Sequence, residues 1–211
     1  MNDVATYLAQ TETAVRKLFE GIDSYMEILS PIRGTTFVSG EIDSAKAHAE
    51  YKEWAARNSA KLAASAKAQR EFSQQSFALA TLCGSVLQVA AKSIECYSEN
   101  TSIPAHVEDL VGKSKSAIPF CIGREVKGVP IGLIIYAGRN QHTHYNDRSL
   151  SKVNEAVFNR LAVIPSLPEF KDPAMDLENS MLDSYASNVT WLLGWRSYEQ
   201  YESDIRSLLG N

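Results

Sequence analysis

Positions 139–144 read Arg-Asn-Gln-His-Thr-His and directly follow the apolar run IGLIIYAG. Arginine carries a fixed charge on a planar fork that matches phosphate oxygens. Histidine titrates near neutral pH, so it can take or give a proton. Asparagine can position a partner by both donating and accepting. Together these residue types suit proton transfer beside an anion. Attack on phosphorus, for example, needs a base, a counter-charge and a donor to the leaving oxygen. At about 100° per residue, Tyr136, Arg139, Asn140, Thr143, His144 and Asp147 share one helical stripe about 140° wide. Arg139 and His144 mark its edges. Ile131, Ile134, Ile135, Gly138 and Tyr145 fall on the opposite side, where Gly138 would let another backbone come close. His142 also falls on the apolar side and reads as a packed histidine, bonded to a neighbouring backbone or a partner subunit. A solvated helix end is the plainer account of the whole cluster.

Other chemistries find less support. His142 and His144 are two apart and diverge on a helix, and the chain has no HExxH motif or Cys/His grid, so no metal site is expected. It has neither GxxxxGK[ST] nor GxGxxG. A Ser/His/Asp triad is left open, without a GxSxG elbow to support it. The glycines of GREVKGVPIG fit a tight turn into the following helix rather than a phosphate loop.

The elements that must position these residues read as helices. Val4, Leu8, Thr11, Val15, Leu18, Ile22, Tyr25 and Leu29 step by fours and threes, a long helix ending near Ser30-Pro31. From Glu41 to Cys83 there is neither Pro nor Gly, and ten alanines lie between Ala45 and Ala68. Alanine favours helix and lets helices approach closely. One very long helix, or two with a subtle break, is expected to run to about Glu99. Residues 100–129 are irregular, with room for a short helix at 105–111. Pro130 suits the first turn of a helix running through Tyr145. Helices are further expected over 149–162, 174–193 and 197–209, with Gly194 between the last two. The expected fold is all-α, a single domain over 1–211, built as a helical bundle with long antiparallel helices; the motif helix covers about 130–146.

Composition adds bounds. The 211 residues can bury a real core, and the 45% hydrophobic and 22% charged contents are ordinary for a globular chain. No uninterrupted apolar run approaches a membrane span, and the N-terminus lacks a secretion signal's layout, so a cytoplasmic protein is expected. Cys83, Cys96 and Cys121 read as buried free thiols. Net charge is −4, which argues against a whole-surface nucleic-acid binder. Yet residues 111–148 hold Lys113, Lys115, Arg124, Lys127, Arg139 and Arg148 against Glu125 and Asp147, a local +4. Such an island can hold a polyanion.

Arg139-Asn140-Gln141-His142-Thr143-His144 fits the pattern of Arg, a polar residue, three of any kind, then His. On a late helix of an all-α chain it resembles the HEPN superfamily of nucleotide-binding and RNase domains. The stretch GVPIGLIIYAGRNQHTHYND is similar to a plasmid- and defence-associated branch, and the resemblance is best over 118–161. It implies a homodimeric endoribonuclease, independent of metal and cofactor, that cuts RNA through its 2′-hydroxyl. It also implies a toxin or phage-defence role with an antitoxin or regulatory partner and no membrane. Arg139 would bind the scissile phosphate, His144 transfer the proton and Asn140 position substrate or histidine. His142 has no counterpart in the pattern. Lys113, Lys115, Arg124 and Lys127 are RNA-binding candidates by charge. The alternatives are a non-catalytic HEPN-like module that binds nucleotide or protein, and a structural helical adaptor using the stripe of residues 4–29.

Overall fold

The computed structural model describes residues 3–28, 36–41, 43–146, 150–167 and 169–210. They are mostly helical, so the chain is all-α. By contact it divides into two bodies: Met1–Gly21 with Phe77–Asn211, and Ile22–Ser76.

The candidate site belongs to the first body. Helix α1 (Val4–Glu27) buries Val4, Leu8, Val15 and Phe19. Its expected end at Ser30-Pro31 lies outside the described residues. Helix α3 (Ser59–Tyr97) buries Leu79, Cys83, Val86, Leu87, Ala90 and Ile94, which recur at helical spacing along one face. The Tyr7 hydroxyl donates to the Val89 carbonyl at 2.9 Å and ties α1 to α3. By length and composition α3 could cross a membrane, with a mean hydropathy of 1.5 over 18 residues of which 56% are buried. Uninterrupted apolar runs missed this stretch. Thr81, Gly84 and Ser85 break such runs without lowering the mean hydropathy much.

Residues 105–107 form a 3₁₀ turn that leads into α4 (Glu108–Val111), and a second 3₁₀ stretch covers 115–120. A two-residue hairpin follows, β1 (Glu125–Val126) against β2 (Val129–Pro130). Lys127 and Gly128 have φ of 52° and 71°. Two consecutive left-handed residues make the turn whose twist matches paired strands. The glycine-bearing stretch is therefore a tight turn, with a small strand pair that the sequence reading lacked. Pro130 closes β2 and caps α5 (Ile131–Thr143), so it stands just before the first turn, not inside it.

Helix α5 is the centre of this body. Ile131, Leu133, Ile134 and Ile135 are at most 1% exposed. Each contributes roughly 1.5–3 kcal/mol by leaving water. The helix packs on α6 (Lys152–Ala162) and α7 (Ala186–Leu192). Gly132 allows the closest approach, because a side chain there would meet the Phe120 carbonyl. Gly138 faces the Val189 and Leu87 side chains, so side chains rather than backbone fill the space it leaves. Helix α6 is capped by the Ser151 hydroxyl, which accepts from the Asn154 amide at 3.3 Å. The helix expected over 174–193 is shorter: 174–185 are mostly turns, held by polar side chains such as Asn179, which donates to the Pro173 carbonyl at 2.8 Å. Gly194, with φ 78°, separates α7 from α8 (Tyr198–Leu209).

In the second body, α2 (Ser44–Arg57) is capped by Asp43, whose carboxylate accepts from the Ala45 amide at 2.8 Å. Asn58 breaks it from α3. Its side-chain amide donates to the Trp54 carbonyl at 2.8 Å, competing with the backbone ladder. Of the two expected arrangements, the chain adopts two helices. Only Ala68 of the ten alanines is buried. Their contribution is helix propensity rather than close packing.

Candidate functional site

The last turn of α5 has a packed side and an open side. On the packed side, Gln141 is 5% exposed and clamps residues 183–185. Its amide nitrogen donates to the Asp183 carbonyl at 3.1 Å, and its oxygen accepts from the Tyr185 amide at 2.9 Å. His142 Nδ1 lies 2.9 Å from the Ser184 hydroxyl. Its ring abuts Gly84 of α3, where a Cβ would collide with it. Burial pushes the His142 imidazole below the ordinary histidine range, because an imidazolium there would lose water. The expected packed histidine is what the fold contains, with a serine hydroxyl as its partner.

The open side carries the motif residues. Arg139 is held at one edge: its Nη2 donates to Glu95 Oε1 at 2.8 Å. The side chain is 19% exposed, and its guanidinium carbon lies 6.0 Å from the centre of the Tyr136 ring. One carboxylate uses only part of a five-donor fork. The Nε is buried and has no acceptor among the described residues. An unmade bond at a buried donor costs about 1–3 kcal/mol. Asn140 is half-buried and Thr143 exposed, and the Thr143 hydroxyl donates back to the Arg139 carbonyl at 2.9 Å. That bond competes with the ladder as the helix ends.

His144 is exposed and caps α5, with φ −114° and ψ 29°. Its amide still donates to the Asn140 carbonyl at 3.0 Å, so the helical path reaches it. The helix stops two residues before the expected Tyr145. Asp147 of the polar stripe and Arg148 of the basic island lie outside the described residues.

The four other basic candidates separate into two pairs. Arg124 donates to both oxygens of Asp204, at 3.0 and 2.8 Å, and to the Leu193 carbonyl at 2.6 Å. Lys127 donates to the Leu161 carbonyl at 2.6 Å and to Asp172 at 3.3 Å, which holds its left-handed backbone in place. Both are structural ties. Lys113 and Lys115 are exposed and form no ion pair among the described residues. Their loop reaches the motif helix through a hydroxyl chain: Ser114 to Ser116 at 3.2 Å, then Ser116 to Tyr136 at 3.0 Å.

Sequence spacing did not show Glu95, Ser116 or Ser184, since each meets α5 only through the tertiary fold. Of the three thiols, Cys83 and Cys121 are buried and burial raises them to about 12 and about 11; Cys96 is exposed, contrary to expectation. Among the described residues no three His, Cys, Asp or Glu side chains gather as a metal-binding group. No family model, curated protein or solved structure matches this chain.

Proposed function

We propose that this protein is a metal-independent, HEPN-like endoribonuclease that cleaves RNA through its 2′-hydroxyl, acting as a homodimeric toxin or defence effector. The observation that carries the reading is Arg139: a cation aimed by Glu95, whose Nε has no acceptor among the described residues, on the helix turn that ends at exposed His144. In this reading Arg139 offsets charge on the scissile phosphate. His144 takes the 2′-hydroxyl proton or gives one to the leaving 5′-oxygen. Asn140, between them, orients substrate. Each chain supplies one such histidine, and a two-fold dimer would bring two to one cleft, so that one accepts while the other donates. Only RNA carries the internal nucleophile, so DNA should resist. Lys113 and Lys115 are the RNA-holding cations; Arg124 and Lys127 keep their structural partners.

The test is cleavage of mixed cellular RNA in EDTA by wild type, Arg139→Ala and His144→Ala, each first shown folded. Wild type should cut and leave cyclic phosphate ends, and both variants should fail. Intact RNA with folded, dimeric wild type would overturn the reading.

One observation favours a second reading, a non-catalytic module that binds nucleotide or a partner protein. Arg139 is about four-fifths buried and ion-paired, as a structural arginine would be. Nucleotide binding unchanged by His144→Ala, without turnover, would select it.

A further inference from the structure

Two exposed aromatic rings meet at the end of α5. Phe77 is 55% exposed and Tyr145 is 39% exposed. Their centroids are 5.8 Å apart and their planes meet at 61°. In this body the other described aromatic pairs, such as Phe120 with Tyr136 and Phe158 with Tyr185, each include a ring that is buried or half-buried. Exposing two rings together forgoes burial that the fold achieves elsewhere, and ring faces stay open in an edge-to-face pair.

The position of the pair gives it a ligand. Tyr145 directly follows His144. Along α3, Phe77, Gly84 and Glu95 touch Tyr145, His142 and Arg139 in that order. Arg139 and Tyr145 are six residues apart, about 9 Å along the helical path at 1.5 Å per residue. The site therefore has a cation near one end and open rings at the other, with His144 next to the rings. A strand of several nucleotides can place phosphates on the cations and bases on the rings. Every base has a face that stacks on an aromatic ring, whatever its sequence.

We propose that Phe77 and Tyr145 form a nucleobase-stacking subsite for single-stranded RNA. The proposal rests on the reading of the neighbouring site as one that handles RNA. The subsite reads stacking rather than base edges, so it selects unpaired strands over duplex and tolerates sequence. Phe77 is the cleaner residue to test, since it is remote in sequence from the motif.

The experiment measures binding of a fluorescent 2′-O-methyl RNA about 12 nucleotides long, whose blocked 2′-oxygen prevents cleavage. An abasic strand of equal length and charge is the control. Wild type should prefer the base-bearing strand by roughly tenfold or more. Phe77→Ala should lose most of that preference and keep its affinity for the abasic strand. Phe77→Trp should restore it. Equal binding of both strands by wild type, no binding of either, or an unchanged preference in Phe77→Ala overturns the subsite. A Phe77→Ala variant that loses self-association instead also overturns it, because the rings would then be a contact between copies. Cleavage of ordinary RNA is read separately. Preference without cleavage would sink the nuclease reading alone, and cleavage without preference would sink the subsite alone.

Discussion

His142 and His144 sit two residues apart in one helical turn, yet the fold treats them oppositely. His142 is packed against Gly84, bonded to Ser184 and biased toward its neutral form. His144 stands exposed where the helix ends. A step of two residues turns a helix by about 200°, which separates them onto different faces. Residue type alone is therefore a poor guide to role, whereas facing packs His142 inside and leaves His144 where the proposed chemistry needs it.

The largest expected effect tests that division directly. His144→Ala should lower RNA cleavage by about 10²–10⁴, the usual range for a general acid or base. Arg139→Ala should do the same, and Arg139→Lys should recover little, because an ammonium lacks the fork. His142→Ala should keep most of the rate in protein that is still folded, and lose stability instead. A His142→Ala variant that is folded but inactive would reverse the assignment.

Gly84→Ala attacks the packed side without touching a polar group. The new methyl would collide with the imidazole of His142, and neither helix can easily give way. Overpacking of this kind costs about 1–3 kcal/mol. Urea denaturation should show it as a lower midpoint with an unchanged slope. An unaffected midpoint would mean that His142 swings out at little cost, and the contrast between the two histidines would weaken.

The packed side was legible in the sequence and the open side only partly so. An apolar period survives without knowledge of neighbours, so α1, α3, α5 and α8 and the inward face of His142 could be read from spacing. The short pieces were not, because turns at 174–185 are decided by side-chain bonds such as Asn179 to Pro173 rather than by period. Charge alone could not sort the basic residues by their partners. Arg124 and Lys127 look like Lys113 and Lys115 in composition, but Asp204 and Asp172, far off in sequence, have claimed them. Glu95, which aims Arg139, was invisible for the same reason.

That division of the basic residues can be sharpened by salt titration. Lys113→Ala and Lys115→Ala should each weaken RNA binding and reduce the salt slope by about 1. Arg124→Ala should leave the slope alone and lower stability, since it abandons Asp204 and the Leu193 carbonyl. An Arg124 variant with a smaller slope and full stability would return that residue to the RNA surface.

The smallest effect concerns acid. Burial lowers the proton affinity of folded His142 relative to the unfolded chain. Above about pH 6.5 both states are neutral there, and the packing contributes in full. As pH falls through that value, the unfolded chain gains a proton that the folded chain resists, so stability declines until the folded group also titrates. His142→Gln keeps a hydrogen-bonding side chain and removes the titration. Between about pH 7.5 and 5.5, wild type should therefore lose more stability than His142→Gln, as measured by urea midpoints at both values. Identical acid sensitivity in the two proteins would show that His142 takes up its proton as readily folded as unfolded. The packed and open sides of the turn would then differ in contacts but not in charge.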